Sequence, residues 1–135
     1  MTADELNAFF SEAFPGYASS APPVGFADGA RAVVRHRYNP SQLRPGGTLS
    51  GPTMMGLADM AMYALLLSAI GKVPLAVTTN LSINFLRKPA PADLIAEARM
   101  LKLGKALAIG DVEIRSDGSD EIVAHAVVTY SIPPR

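Results

Sequence analysis

The 135-residue chain contains no cysteine, which removes disulfides, thiolate nucleophiles and sulfur metal ligands together. Histidine is nearly as scarce. His36 and His125 are the only imidazoles, far apart in sequence and without a nearby carboxylate pattern, so no metal site is expected. Charged residues make up 18%, fewer than the usual quarter or so. The net charge is zero and the pI is near 6.7, which offers nothing to a phosphate backbone, and no nucleic-acid partner is expected. The opening residues, MTADELNAFFSEAFPG, hold acids and no early basic cluster. That is unlike a secretory signal, and the cytoplasm is the default location.

Long apolar runs are limited to one, Met54 to Ile70. It falls short of the roughly 20 residues a bilayer requires and carries an acid near its middle, so no membrane span is expected. The run belongs to a longer stretch, GPTMMGLADMAMYALLLSAI from Gly51 to Ile70, whose helix signals agree. Pro52 suits the first helical position with Gly51 as cap, and Gly71 offers a stop. Apolar residues occur all the way round, the mark of a helix surrounded by other structure. Asp59 is the only charged group in it. A buried carboxylate needs either a partner or a cavity in which its pKa is raised and its chemistry used. A structural partner would be backbone or a hydroxyl such as Thr53 or Tyr63. Both readings stay open on the residues alone.

Upstream, Thr2 and Glu5 form a capping box for a short helix with Leu6, Phe9, Phe10 and Ala13 on its apolar face, ended by Pro15 and Gly16. YASSAPP reads as loop, and a short strand begins near Val24. Asp28-Gly29 signals a hairpin into ARAVVRHRY, where Ala30, Ala32, Val34 and His36 share a face. His36 is thereby expected to be a strand-surface or interface residue rather than a catalytic base. NPSQLRPGGTLS, from Asn39 to Ser50, is full of breakers and reads as a loop delivering the chain to the central helix, whose N-terminus favours negative charge. Beyond Gly71, four segments read as strands: Leu75 to Lys88, LIAEARMLKLG, ALAIGDVEIRS and EIVAHAVVTYSIP, the last two joined by the turn DGSD. The expectation is a four-stranded antiparallel meander after the helix, with one or two strands before it. The chain reads as one α+β domain over residues 1–135. At 49% hydrophobic, it is expected to bury part of its surface against a copy of itself.

A single helix held in a curved antiparallel sheet of five to six strands is the hotdog architecture. GLADMAMYA (Gly56 to Ala64) resembles the LAD-x-A segment of PaaI-type acyl-CoA thioesterases. SINFLRK (Ser82 to Lys88) resembles their strand after the helix, and LGKALAIGDVEI (Leu103 to Ile114) their next hairpin. The likeness spans roughly Tyr38 to Ile132 and implies hydrolysis of a medium-chain or aromatic acyl-CoA with no cofactor. It implies Asp59 as general base or nucleophile, the Gly51 N–H on the thioester carbonyl, and Thr78 assisting the attacking water. It also implies a site shared across a homodimer, with pairing of dimers into a homotetramer as the expected assembly. Where the family usually has His-Gly-Gly this chain has Ser50-Gly51-Pro52, and Arg44 replaces an upstream asparagine.

The expected substrate-binding set is Arg44, Ser50, Thr53, Asn80, Arg87, Lys88 and Lys105. Arg87, Lys88, Arg99, Lys102 and Lys105 are expected to cluster along strand ends for the phosphates of coenzyme A. Two alternatives accompany this reading. One is a non-catalytic acyl-CoA or acyl-ligand binding protein of the same fold. The other, a hotdog dehydratase, would pair a histidine with an acid, and the helix entrance carries no histidine.

Overall fold

The computed structural model describes residues 1–14 and 23–135. Helix α1 (Ala3–Ala13) opens with the expected capping box: the Glu5 N–H donates to Thr2 Oγ1 at 3.1 Å and the Thr2 N–H to Glu5 Oε1 at 2.9 Å. Leu6 and Phe10 are its buried face. The expected stop at Pro15 and Gly16, and most of the YASSAPP loop, lie outside the described residues.

Strands β1 (Val24–Ala27) and β2 (Arg31–His36) form the hairpin expected at Asp28-Gly29. Gly29 takes φ +85°, and Asp28 Oδ1 accepts from the N–H groups of Ala30 and Arg31. The stretch from Asn39 to Ser50 is more ordered than the loop expected of it. A 3-10 turn (Pro40–Gln42) leads into a ribbon of β3 (Leu43–Arg44) and β4 (Thr48–Leu49). Gly46 and Gly47 close it at φ +99° and +79°, which only glycine adopts without strain. The breakers read as loop are the turn of this ribbon.

Helix α2 runs over Gly51–Ile70, as expected. Its cap is Ser50 rather than Gly51, because the Ser50 hydroxyl can accept from the Thr53 N–H and glycine has no side chain to do so. Gly51 is therefore the first helical residue and Pro52 the second. The helix has the length and apolarity of a bilayer span. Its residues from Ala61 to Leu67 are instead buried within the described fold.

The remaining strands are β5 (Val77–Phe85), β6 (Leu94–Leu103), β7 (Leu107–Ser116) and β8 (Ile122–Ser131). They join β1 and β2 in a six-stranded antiparallel sheet of order β1-β2-β6-β7-β8-β5. Strands β6, β7 and β8 form a meander, but β5 does not join it beside β6 as expected. It crosses to the far side of β8 and becomes an edge. The strand is shorter than the stretch from Leu75 to Lys88: the Ala76 N–H closes a turn onto the Val73 carbonyl, and the Leu86 and Arg87 N–H groups both go to the Val123 carbonyl instead of extending the ladder.

The inward face is built from small and branched residues, among them Ala96, Ala98, Val112, Ile114, Ala126 and Val128. Small side chains let α2 lie close to the sheet. At Gly110 a Cβ would stand 2.5 Å from Met62 Sδ, so the helix touches backbone there.

Candidate active site

Asp59 lies midway along α2, half-buried, on the side turned toward β5 and β8. Thr78 Oγ1 donates to its Oδ1 at 2.5 Å, and the Tyr130 hydroxyl donates to the same oxygen at 2.9 Å. Tyr130 also lies 3.2 Å from the Asp59 carbonyl. No hydrogen bond among the described residues reaches Oδ2. The hydroxyls anticipated as partners are engaged elsewhere: Thr53 with Ser50 at 2.9 Å, and Tyr63 with the Pro74 carbonyl at 3.1 Å.

Register explains why two hydroxyls meet one oxygen. Thr78 and Tyr130 are directly opposed partners in the β5–β8 ladder, and a bulge follows immediately between Thr78 and Asn80. Opposed side chains lie within reach of each other, and bulges re-aim the residues beside them. Tyr130 is 3% exposed. Burial, reinforced by the Asp59 charge, pushes its phenol far above the ordinary range, so it remains a donor.

Tyr130 is absent from the residues singled out in the sequence. The signal was there, since the inward alternation of β8 runs Ala124, Ala126, Val128 and then a phenol that must find a partner beside the acid's helix.

A cavity of about 270 Å³ opens beside the acid, walled by Phe14, Tyr63, Pro74, Val77, Thr78 and Tyr130. Its aromatic side is a stack: Tyr130 on Tyr63 at 5.9 Å between ring centroids, and Tyr63 on Phe10 at 5.8 Å.

A second cavity, of about 330 Å³, lies at the start of α2. The donors there are readily accounted for. Met54 N–H donates to the Ser50 carbonyl, Thr53 N–H to the Ser50 hydroxyl, and proline at 52 has none. The Gly51 N–H remains, one of the helix-start donors that no intrahelical carbonyl can reach. Arg44, Arg87 and Lys88 line this cavity with Gly51 and Phe85, and no acid among the described residues does. Arg87 also donates to the Ile122 carbonyl at 2.9 Å and pairs loosely with Glu121 at 3.5 Å.

The structure thus brings together Arg44, Arg87 and Lys88 with Gly51, and Thr78 with Asp59. Ser50 is taken up in capping the helix, and Thr53, bonded to it, faces a separate cavity with Arg35 and His36. Others are left apart. Asn80 sits exposed on β5, opposite Thr129. Lys102 and Lys105 lie at the β6–β7 turn, at the Val77 end of the sheet, whereas Arg87 and Lys88 follow its Phe85 end. The two ends are separated by roughly 26 Å at strand rise. Arg99 is paired with Glu97 and Glu113, each at 3.3 Å. The five cations therefore do not form one cluster, because the ten residues of β6 run between the connection that carries Arg87 and Lys88 and the turn that carries Lys105. His125 also departs from expectation: its Nε2 lies 3.1 Å from Asp111 Oδ2 on the neighbouring strand.

A long helix wrapped by a six-stranded antiparallel sheet, with a lone acid on the helix, is the hotdog fold. The family model described as the thioesterase superfamily matches residues 46–123, and the chain belongs to that superfamily.

It is similar to a presumed thioesterase from Silicibacter sp. TM1040, with 42% identity and a TM-score of 0.82 over 98% of this chain and 92% of that one. The phenylacetic acid degradation protein PaaI of Thermus thermophilus is 28% identical, with a TM-score of 0.69 over 82% of this chain and 91% of that one. A presumed esterase of Saccharolobus solfataricus is 30% identical over 73% of this chain, and the matched stretch spans 65% of that protein's length.

Proposed function

We propose that the protein hydrolyses medium-chain or aromatic acyl-CoA thioesters, with Asp59 as general base. The observation that carries this reading is the asymmetry of the Asp59 carboxylate. One oxygen is held by two hydroxyls, and the other is unengaged beside an open cavity. An oriented carboxylate with a free oxygen can take a proton from water as that water attacks the thioester carbonyl. The tetrahedral oxyanion is stabilised by the Gly51 N–H, a fixed donor that needs no reorganisation. Collapse breaks the C–S bond, and the proton held by Asp59 passes to the departing thiolate, leaving free acid and free thiol. Thr78 holds the acid in place and lies within reach of the same water.

Gly51 and Asp59 of one chain cannot meet at one carbonyl. They are eight residues apart on α2, about 12 Å along the axis at helical rise. Two copies resolve this. β5 is an edge strand with Val77 and Phe85 each about half exposed, and antiparallel pairing of two β5 edges sets the Val77 end of one protomer against the Phe85 end of the other. Asp59 and Thr78 of one protomer then approach Gly51 of its partner. The homodimer is the minimal active unit in this reading, and a homotetramer is a pair of such units.

The basic lining of Arg44, Arg87 and Lys88 suits the phosphates of coenzyme A, and the aromatic wall of Phe14, Tyr63 and Tyr130 suits the acyl group.

The test is thiol release across a panel of acyl-CoAs. The parent releases thiol, and Asp59→Asn, whose amide oxygen still accepts from Thr78 and Tyr130, keeps its melting temperature and loses about 10²- to 10⁴-fold in rate. A second reading has one observation in its favour: Arg44, with two more cations, stands beside Gly51 where it would retain an anionic ligand. Saturable binding with no thiol release from any acyl-CoA would establish a binding protein instead.

A further inference from the structure

We infer that Tyr130 is a positioning residue for Asp59: with Thr78 it fixes Oδ1, so that Oδ2 is the oxygen that takes the proton. This rests on the reading of Asp59 as the base. Rotation of a carboxylate about its last bond is soft, and one donor leaves it free to swing. Here two donors come from two different strands, Thr78 on β5 and Tyr130 on β8, and converge on one oxygen. Converging donors restrict the rotation of the group, and Oδ2 is left without a hydrogen bond among the described residues, on a side chain that lines the cavity.

The surroundings make these donors decisive. Among the described residues, the side chains that line the acid's cavity include no cation, and its polar members besides Asp59 are the hydroxyls of Tyr63, Thr78 and Tyr130. Tyr63 is committed to the Pro74 carbonyl. The carboxylate is thus oriented by Thr78 and Tyr130 alone among the described residues. Hydrogen bonds to a charged acceptor are about twice as strong as neutral ones, so each donor has leverage on the geometry.

The ring and the hydroxyl of Tyr130 have separable roles. The ring packs on Tyr63, which packs on Phe10 of α1, and this stack ties the N-terminal helix to the wall behind the acid. The hydroxyl meets the one charged group of α2. A phenylalanine at 130 preserves the stack and removes only the donor. The burial of Tyr130 keeps its hydroxyl protonated and therefore donating.

The experiment compares thiol release by the full chain as parent, Tyr130→Phe, Asp59→Asn and the double variant, using one acyl-CoA that the parent turns over. Tyr130→Phe is expected to lower kcat by about 10- to 100-fold with KM within about twofold of parent. The double variant is expected to be no slower than Asp59→Asn alone, since the hydroxyl acts only through the acid. A Tyr130→Phe protein with parental kcat, with its loss entirely in KM, or with its fold lost overturns the positioning role. If Tyr130→Phe behaves in one of these ways while Asp59→Asn is inactive in the same series, the role of Asp59 stands and that of Tyr130 falls. Parental turnover by Asp59→Asn overturns the underlying reading itself.

Discussion

The ring of Phe85, at the end of β5, covers Gly51, at the start of α2: a Cβ built on Gly51 would stand 3.3 Å from Phe85 Cζ. The pair places the exposed edge of the sheet directly against the proposed carbonyl donor. It also offers a way to separate the donor from the space around it.

Gly51→Ala keeps the N–H and adds a methyl against a half-exposed ring end that can yield. Gly51→Pro removes the N–H at the first helical position, where proline is tolerated. Thiol-release assays should show Gly51→Ala within about tenfold of parent and Gly51→Pro slower by about 10²- to 10³-fold. Equal activities for the two would remove the backbone donor from the mechanism.

Ser50 caps the same helix by accepting from the Thr53 N–H. Ser50→Ala should lower unfolding free energy by about 1 kcal/mol, measured by urea denaturation. No loss of stability would return the cap to Gly51.

Asp93 supplies a pH dependence remote from the site. Its carboxylate accepts from the Tyr38 N–H at 2.7 Å and from Arg35 and Arg37 at 3.0 and 3.2 Å. The backbone bond first, and then the two guanidiniums, hold its pKa below the ordinary 3.8. A depressed folded-state value means the contribution is fully present above the unfolded value and is lost as pH falls through the folded one. Asp93→Asn should therefore be less stable than parent at neutral pH, with the gap closing below pH 3.8. Melting curves at pH 7 and pH 3 test this: the gap should be smaller at pH 3, and one as large as at pH 7 would contradict it.

Much of this architecture is legible in the residues because it is local. The limits of α2 follow from Ser50 to Pro52 at one end and Gly71 at the other. The alternation of β7 and β8 is clean because one face packs on the helix. What was not legible is mostly nonlocal. Nothing within β5 says that it pairs with β8 rather than β6, and that single fact puts Thr78 opposite Tyr130. Tyr130 was overlooked because its significance comes from the strand across from it. The β3–β4 ribbon was missed for a different reason: two-residue strands carry no periodicity, and Gly46 and Gly47 mark a hairpin turn and a loop alike.

The division of one site between two protomers is tested most directly by complementation. Asp59→Asn and Gly51→Pro proteins are prepared separately, each nearly inactive, then mixed and allowed to exchange subunits. Half of the resulting dimers are mixed, and each mixed dimer holds one site with an intact acid from one chain and an intact amide from the other. Thiol release should recover to about one quarter of the parental rate per protomer. A fully exchanged mixture no more active than the better of the two variants alone would contradict a site shared between Asp59 and the partner's Gly51.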